Sequence, residues 1–114
     1  MDTKISHFKT SDNLSLEVQE YIQSDNPEKI VLIVHGHGEH AGRFQKVAEH
    51  FSGKGISVIA LTLRGHGNSE GKKGHAPSME QLLTDIEYFI RYVRVDYLNA
   101  DLYLYGHSMG GNII

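Results

Sequence analysis

Between residues 14 and 19 the chain alternates strictly: Leu14, Leu16 and Val18 are apolar, while Ser15, Glu17 and Gln19 are polar. A period of two with one apolar face predicts a half-buried strand. Residues 5–9 read as a shorter strand before it. Ser11-Asp12-Asn13 between the two carries turn chemistry, so an antiparallel hairpin is expected. Residues 24–28, with Pro27, are a polar loop. The pattern then changes character. Residues 29–35 (KIVLIVH) are almost continuously β-branched or aliphatic, which suits a strand covered on both faces in a parallel sheet.

Farther on, Phe44, Val47, Ala48 and Phe51 recur at i, i+3, i+4 and i+7, one face of a helix that Gly53 and Gly55 close. Residues 56–63 are a second buried strand, and residues 64–77 a long loop rich in glycine and charge. Ser78 and Gln81 fit a capping box that opens a long helix. Its apolar stripe is Met79, Leu82, Leu83, Ile86, Phe89, Ile90 and Val93. Leu102, Tyr103, Leu104 and Tyr105, bounded by Asp101 and Gly106, form the last strand. A hairpin followed by strand–helix–strand–helix–strand predicts an α/β fold with right-handed β-α-β crossovers and a parallel sheet. The sequence has no internal repeat and no low-complexity segment.

Composition narrows the function. A length of 114 residues predicts one domain, and 39% hydrophobic with 22% charged residues is ordinary for a soluble protein. The net charge of −3 gives no reason to expect a nucleic acid or anionic-lipid partner. With no cysteine there is no disulfide, thiolate metal site or thiol nucleophile. Met1-Asp2-Thr3-Lys4 lacks the apolar core of a signal peptide, and residues 30–34, the longest aliphatic run, are too short to span a bilayer. A cytoplasmic location without a transmembrane segment is expected.

The chemistry concentrates after the last strand. Gly106-His107-Ser108-Met109-Gly110 is a G-x-S-x-G pentapeptide with Gly111 behind it. In a nucleophile elbow the serine sits on a strained strand-to-helix turn, and glycines two residues before and after remove side chains that would clash. The following helix would aim its N-terminal N–H groups at the serine. In parallel sheets the reactive site lies at the carboxyl ends of the strands, where His35-Gly36-His37-Gly38-Glu39-His40 also emerges. A tetrahedral intermediate needs two N–H donors, and those of His37 and Met109 are the candidates.

Other chemistries compete. His35, His37 and His40, with Glu39 between them, resemble the H-x-H-x-D/E-H zinc cluster of metallo-β-lactamase-like hydrolases, with His75 as a further ligand. That reading leaves the glycine-flanked Ser108 unexplained. Residues 64–71 (RGHGNSEG) lack the G-x-x-x-x-G-K-S/T spacing of a phosphate-binding loop and read as a scaffolding loop at the rim of the site. His7, His50 and His75 are most simply surface or structural residues. Tyr88, Tyr92 and Tyr97 are most simply packing residues.

Three stretches carry a family resemblance: VHGHGEHAGRF at residues 34–44, LRGHGNSEG at 63–71 and GHSMGG at 106–111. With them the chain resembles the N-terminal part of an α/β-hydrolase of the monoacylglycerol lipase and lysophospholipase group. The resemblance implies Ser108 as the acyl-forming nucleophile, His37 and Met109 as oxyanion-hole donors, and residues 64–71 as the marker turn after the family's fourth strand. It implies carboxylic esters of glycerolipids or lysophospholipids, or another small ester, as substrate, and no cofactor and no metal. The family's catalytic acid and base follow the nucleophile, so both are expected to be absent from these 114 residues, together with the lid and the C-terminal half. The expectation is a single incomplete core domain over residues 1–114, inactive by itself, truncated just after the elbow. Strand 101–105, central in the family, would then be an apolar edge and invite self-association. A non-catalytic assembly module, and the metal-dependent hydrolase on His35, His37 and His40, remain the alternatives.

Overall fold

Strand β1 (Asp2–Lys9) pairs antiparallel with β2 (Ser15–Ile22), Phe8 opposite Leu16 and Thr3 opposite Tyr21. The computed structural model describes residues 2–22, 24, 26–35, 44–73 and 78–106. The turn forms as its residues predict: Thr10 exchanges backbone hydrogen bonds with Asn13 and Leu14, and Asn13 takes φ 67°. β1 begins earlier than expected because residues 2–4 show no apolar alternation. Backbone pairing with residues 20–22 holds them in the strand.

Strands β3 (Lys29–Val34), β4 (Ser57–Leu61) and β5 (Asp101–Gly106) complete a five-stranded sheet in the order β1-β2-β4-β3-β5. β3 is parallel to both β4 and β5, as the β-α-β reading requires, while β2 joins β4 antiparallel and makes the whole sheet mixed. Helix α1 (Gln45–Ser52) covers one face, packing Phe44 and Ala48 over Tyr21, Val31, Ile33, Val58 and Ala60. Helix α2 (Met79–Asp96) covers the other, where Leu82, Ile86, Phe89 and Val93 meet Leu16, Val18, Ile30, Leu32, Ile59 and Leu61. Complete burial of such side chains contributes roughly 1.5–3 kcal/mol each, which makes this larger cluster the main source of cohesion.

The helix ends follow local chemistry. Gly55, at φ 76°, donates to Ser52 O while Ile56 donates to Phe51 O, the paired bonds of a Schellman motif. At the start of α2, Ser78 Oγ accepts the Gln81 N–H at 3.1 Å. The expected capping box is only half made, because the Gln81 amide reaches forward to Asp85 Oδ1 at 3.0 Å.

Two expectations about faces are corrected. β2 is buried on both sides, not one: Glu17 and Tyr21 are covered on the α1 face just as Leu16 and Val18 are on the other. Glu17 is hidden because the loop after β4 lies over it, through Asn68 and Ser69. In α2, Met79 and Leu83 are about half exposed, and the charged Asp85 takes a fully buried place on the core side. Along β5, Leu102 packs on the α2 cluster, while Tyr103, Leu104 and Tyr105 remain 50%, 44% and 47% exposed. No helix among the described residues is long and apolar enough to cross a membrane.

Candidate functional site

Register gathers the candidate segments at one end of the sheet. Val34 of β3 stands opposite Leu61 of β4 on one side and opposite Gly106 of β5 on the other. The strands are parallel, so the chain leaves all three at their carboxyl ends from neighbouring positions, with strand spacing of about 4.8 Å. His35 and Gly106 occupy those exits. The other predicted site residues lie outside the described residues: Gly36, His37, Gly38, Glu39 and His40 after β3, and His107, Ser108, Met109, Gly110 and Gly111 after β5.

His35 is fully buried, and its Nε2 accepts the Leu63 N–H at 2.8 Å. A backbone amide can only donate, so Nε2 presents its lone pair to that bond. Across from it, 5.1 Å between ring centroids, lies His66. Nδ1 of His66 is 3.0 Å from the Arg64 carbonyl, which can only accept, so this nitrogen carries the proton. The pair ties the exit of β3 to the bend after β4. It also bears on the zinc alternative, since a nitrogen that accepts an amide proton cannot at the same time ligate a metal through that lone pair. Among the described residues no group of three or more His, Cys, Asp or Glu side chains is placed to hold a metal. His37, His40 and His75 are outside them.

Residues 64–71 fold as a strap laid against β2. Ser69 Oγ accepts the Glu17 N–H at 2.8 Å and donates to Thr62 O at 2.6 Å. Asn68 Nδ2 donates to Glu17 Oε2 at 3.1 Å, and Glu70 is joined twice to Ser15, through its N–H to Ser15 O and through Oε1 from Ser15 N–H. The strap needs glycine where it doubles back. Gly65 has φ 75° and a Cβ there would meet Lys72 O at 2.7 Å; Gly71 has φ 118° and a Cβ would meet Gly65 N at 2.8 Å.

A two-carboxylate clamp on Arg64, beside the site region, was not read from the sequence. Arg64 Nε and Nη2 donate to the two carboxylate oxygens of buried Asp85 at 2.6 and 2.9 Å, while Nη1 and Nη2 donate to Asp12 at 2.9 Å each. These bonds push the guanidinium pKa above its ordinary value, and they hold the Asp12 carboxyl well below the usual carboxylate range. The available signal was Asp85 itself, a carboxylate inside the apolar stripe of α2. A charge on a buried helix face requires a partner. On the same face of the sheet, Tyr97 donates its hydroxyl to Glu20 at 3.1 Å, and burial, then the Glu20 charge, push its phenol well above the ordinary range.

The Hydrolase_4 family model, described as serine aminopeptidase, S33, matches residues 25–114. A monoacylglycerol lipase of Mycolicibacterium smegmatis is 37% identical over 89 residues, 78% of this chain and 32% of that protein. A monoglyceride lipase of Mus musculus is 30% identical over 109 residues, 96% of this chain and 36% of that protein. The chain thus spans about a third of the length of either lipase. Among solved structures, a carboxyl esterase from Bacillus coagulans superposes with a TM-score of 0.81 at 26% identity, over 99% of this chain and 38% of the esterase.

Proposed function

Because the chain belongs to the Hydrolase_4 family (serine aminopeptidase, S33), we propose that it carries the nucleophile and the oxyanion-stabilising segment of a serine ester hydrolase. One observation supports this most: the register that sets Val34 beside Gly106 starts the His35–Glu39 and His107–Gly111 segments from adjacent strand ends. In this reading Ser108 Oγ attacks the ester carbonyl, and its proton passes through a base to the departing alcohol. The N–H groups of His37 and Met109 bind the oxyanion, and water then releases the acyl group. The chemistry calls for no cofactor or metal. The proposed substrate class is an acyl ester of glycerol: a monoacylglycerol, in keeping with the names of the two lipases above, or a lysophospholipid, as the family resemblance of the three sequence stretches implies.

The base and acid match no motif within these 114 residues, so the isolated stretch is expected to turn over poorly, its serine lacking an activating partner. Hydrolysis of a monoacylglycerol by the protein in its natural length tests the proposal. Ser108→Ala is expected to lower kcat by about 10³-fold or more. Unchanged hydrolysis in that variant, or activity lost to a chelator and restored by zinc, would favour the histidine cluster instead. A second reading has its own observation. The half-exposed Tyr103, Leu104 and Tyr105 on the last strand of the order suit pairing with a second copy when the 114 residues stand alone. Light scattering that gives a monomer across a wide concentration range counts against it.

A further inference from the structure

Three residues in the bend after β4 tie two separate parts of the molecule to the exit of β3. Leu63 gives its amide to His35, Arg64 is clamped to α2 through Asp85 and to the hairpin turn through Asp12, and His66 bonds back to the Arg64 carbonyl while its ring lies against His35. We infer that Arg64 is a positioning residue for the reaction: its guanidinium fixes the bend at residues 63–66, and through Leu63 and His66 that bend fixes His35, from which the chain departs toward Gly36 and His37. This rests on the serine-hydrolase reading above.

Cohesion alone does not account for the arrangement. A buried ion pair is commonly no more stabilising than apolar side chains of the same volume, because desolvation offsets the attraction. What a planar fork held by two carboxylates supplies is orientation: four hydrogen bonds in fixed directions define where the Arg64 backbone lies. The anchor on α2 is rigid, since Asp85 is fully buried and also held by Gln81. Without the guanidinium, Asp85 keeps the Gln81 amide and loses its counter-charge, and the bend loses its register to α2. Oxyanion donors act only in the transition state, so an error in their placement lowers kcat and spares KM.

The test uses the protein in its natural length, with turnover counted per Ser108 labelled by a fluorophosphonate probe and with folding verified by circular dichroism. Arg64→Gln is expected to lower kcat by about 10–100-fold with KM within about twofold, the scale expected for a displacement near 1 Å. Arg64→Lys should recover part of the loss, since it returns the charge without the fork. Exchange of the Leu63 amide, read by NMR, should quicken by about tenfold or more in Arg64→Gln at matched global stability. If Arg64→Gln does not fold, Asp12→Asn takes its place, because it leaves the buried pair with Asp85 intact; its expected loss is about 2–5-fold in kcat alone. Wild-type kcat per labelled site and unchanged Leu63 exchange in whichever of these variants folds overturn the positioning role and leave the hydrolase reading standing. Absence of any probe adduct on Ser108 in the wild-type protein overturns the hydrolase reading itself, and the Leu63 exchange then decides whether Arg64 sets the bend.

Discussion

Val34 stands opposite Gly106 in the parallel pairing of β3 with β5, one residue before His35 on one strand and two before Ser108 on the other. Neighbouring exits of this kind are a consequence of register, and register is set by which faces must be buried. Ile30, Leu32 and Val34 face α2, and Val31 and Ile33 face α1. A one-residue slip of β3 would turn every one of them to the wrong side. The placement of the candidate site thus rests on the packing of the sheet.

The Arg64–Asp85 pair is expected to dominate the response of the fold to single charge removals. Asp85→Ala leaves the guanidinium with only the exposed Asp12, and should lower the unfolding free energy by about 3–5 kcal/mol in urea titration. Replacing both partners, Arg64→Met with Asp85→Leu, should cost much less than the two single changes added together. Additive losses would show that the pair is not coupled.

Acid should act through Asp12. Its folded pKa is depressed by Arg64, so the contribution is fully present above the ordinary carboxylate pKa of about 4 and is lost as pH falls below it. Asp12→Asn should flatten the acid limb of a stability-against-pH curve. The side chain is 46% exposed, so the effect should be small and shrink with salt. An acid limb identical in wild type and variant would contradict the assignment.

Alkali should act through Tyr97. Its folded pKa is raised by burial and by Glu20, so the folded state holds the proton more tightly than the unfolded chain. Stability is then constant below the ordinary phenol pKa of about 10 and declines as pH rises through and beyond it. Tyr97→Phe should remove part of that decline, measured by thermal melting at pH 9 and above.

The positive-φ glycines should separate by their surroundings. Gly55→Ala meets open space and carries only the left-handed backbone cost of about 1–2 kcal/mol. Gly65→Ala has a similar φ but places its methyl 2.7 Å from Lys72 O, so it should be the more destabilising of the two and should loosen the strap. Equal losses in denaturant melts would mean that the strap does not close as described.

Much of the fold was legible because burial writes itself into periodicity. The continuous run at 29–34 and the i, i+3, i+4, i+7 spacing around Phe44–Phe51 each led to the element observed. Periodicity fails where polar residues are buried by partners distant in sequence. Glu17 reads as solvent-facing until Asn68 and Ser69 are laid over it, 51 and 52 residues away. Asp85 likewise breaks a stripe whose reason is Arg64, 21 residues earlier. The candidate site was proposed from its glycines: a strained turn would exclude side chains, and that expectation rests on Gly106, Gly110 and Gly111, the last two outside the described residues. The tie between Leu63 and His35 was not legible, because a backbone donor carries no residue-type signature.

Ser108 is the proposed nucleophile. Its most direct measure is mass-spectrometric mapping of a fluorophosphonate adduct on the protein in its natural length. A nucleophilic Ser108 should give one adduct, on the peptide that contains Ser108, and none after Ser108→Ala. An adduct that persists in that variant, or one that maps to another serine, would contradict it.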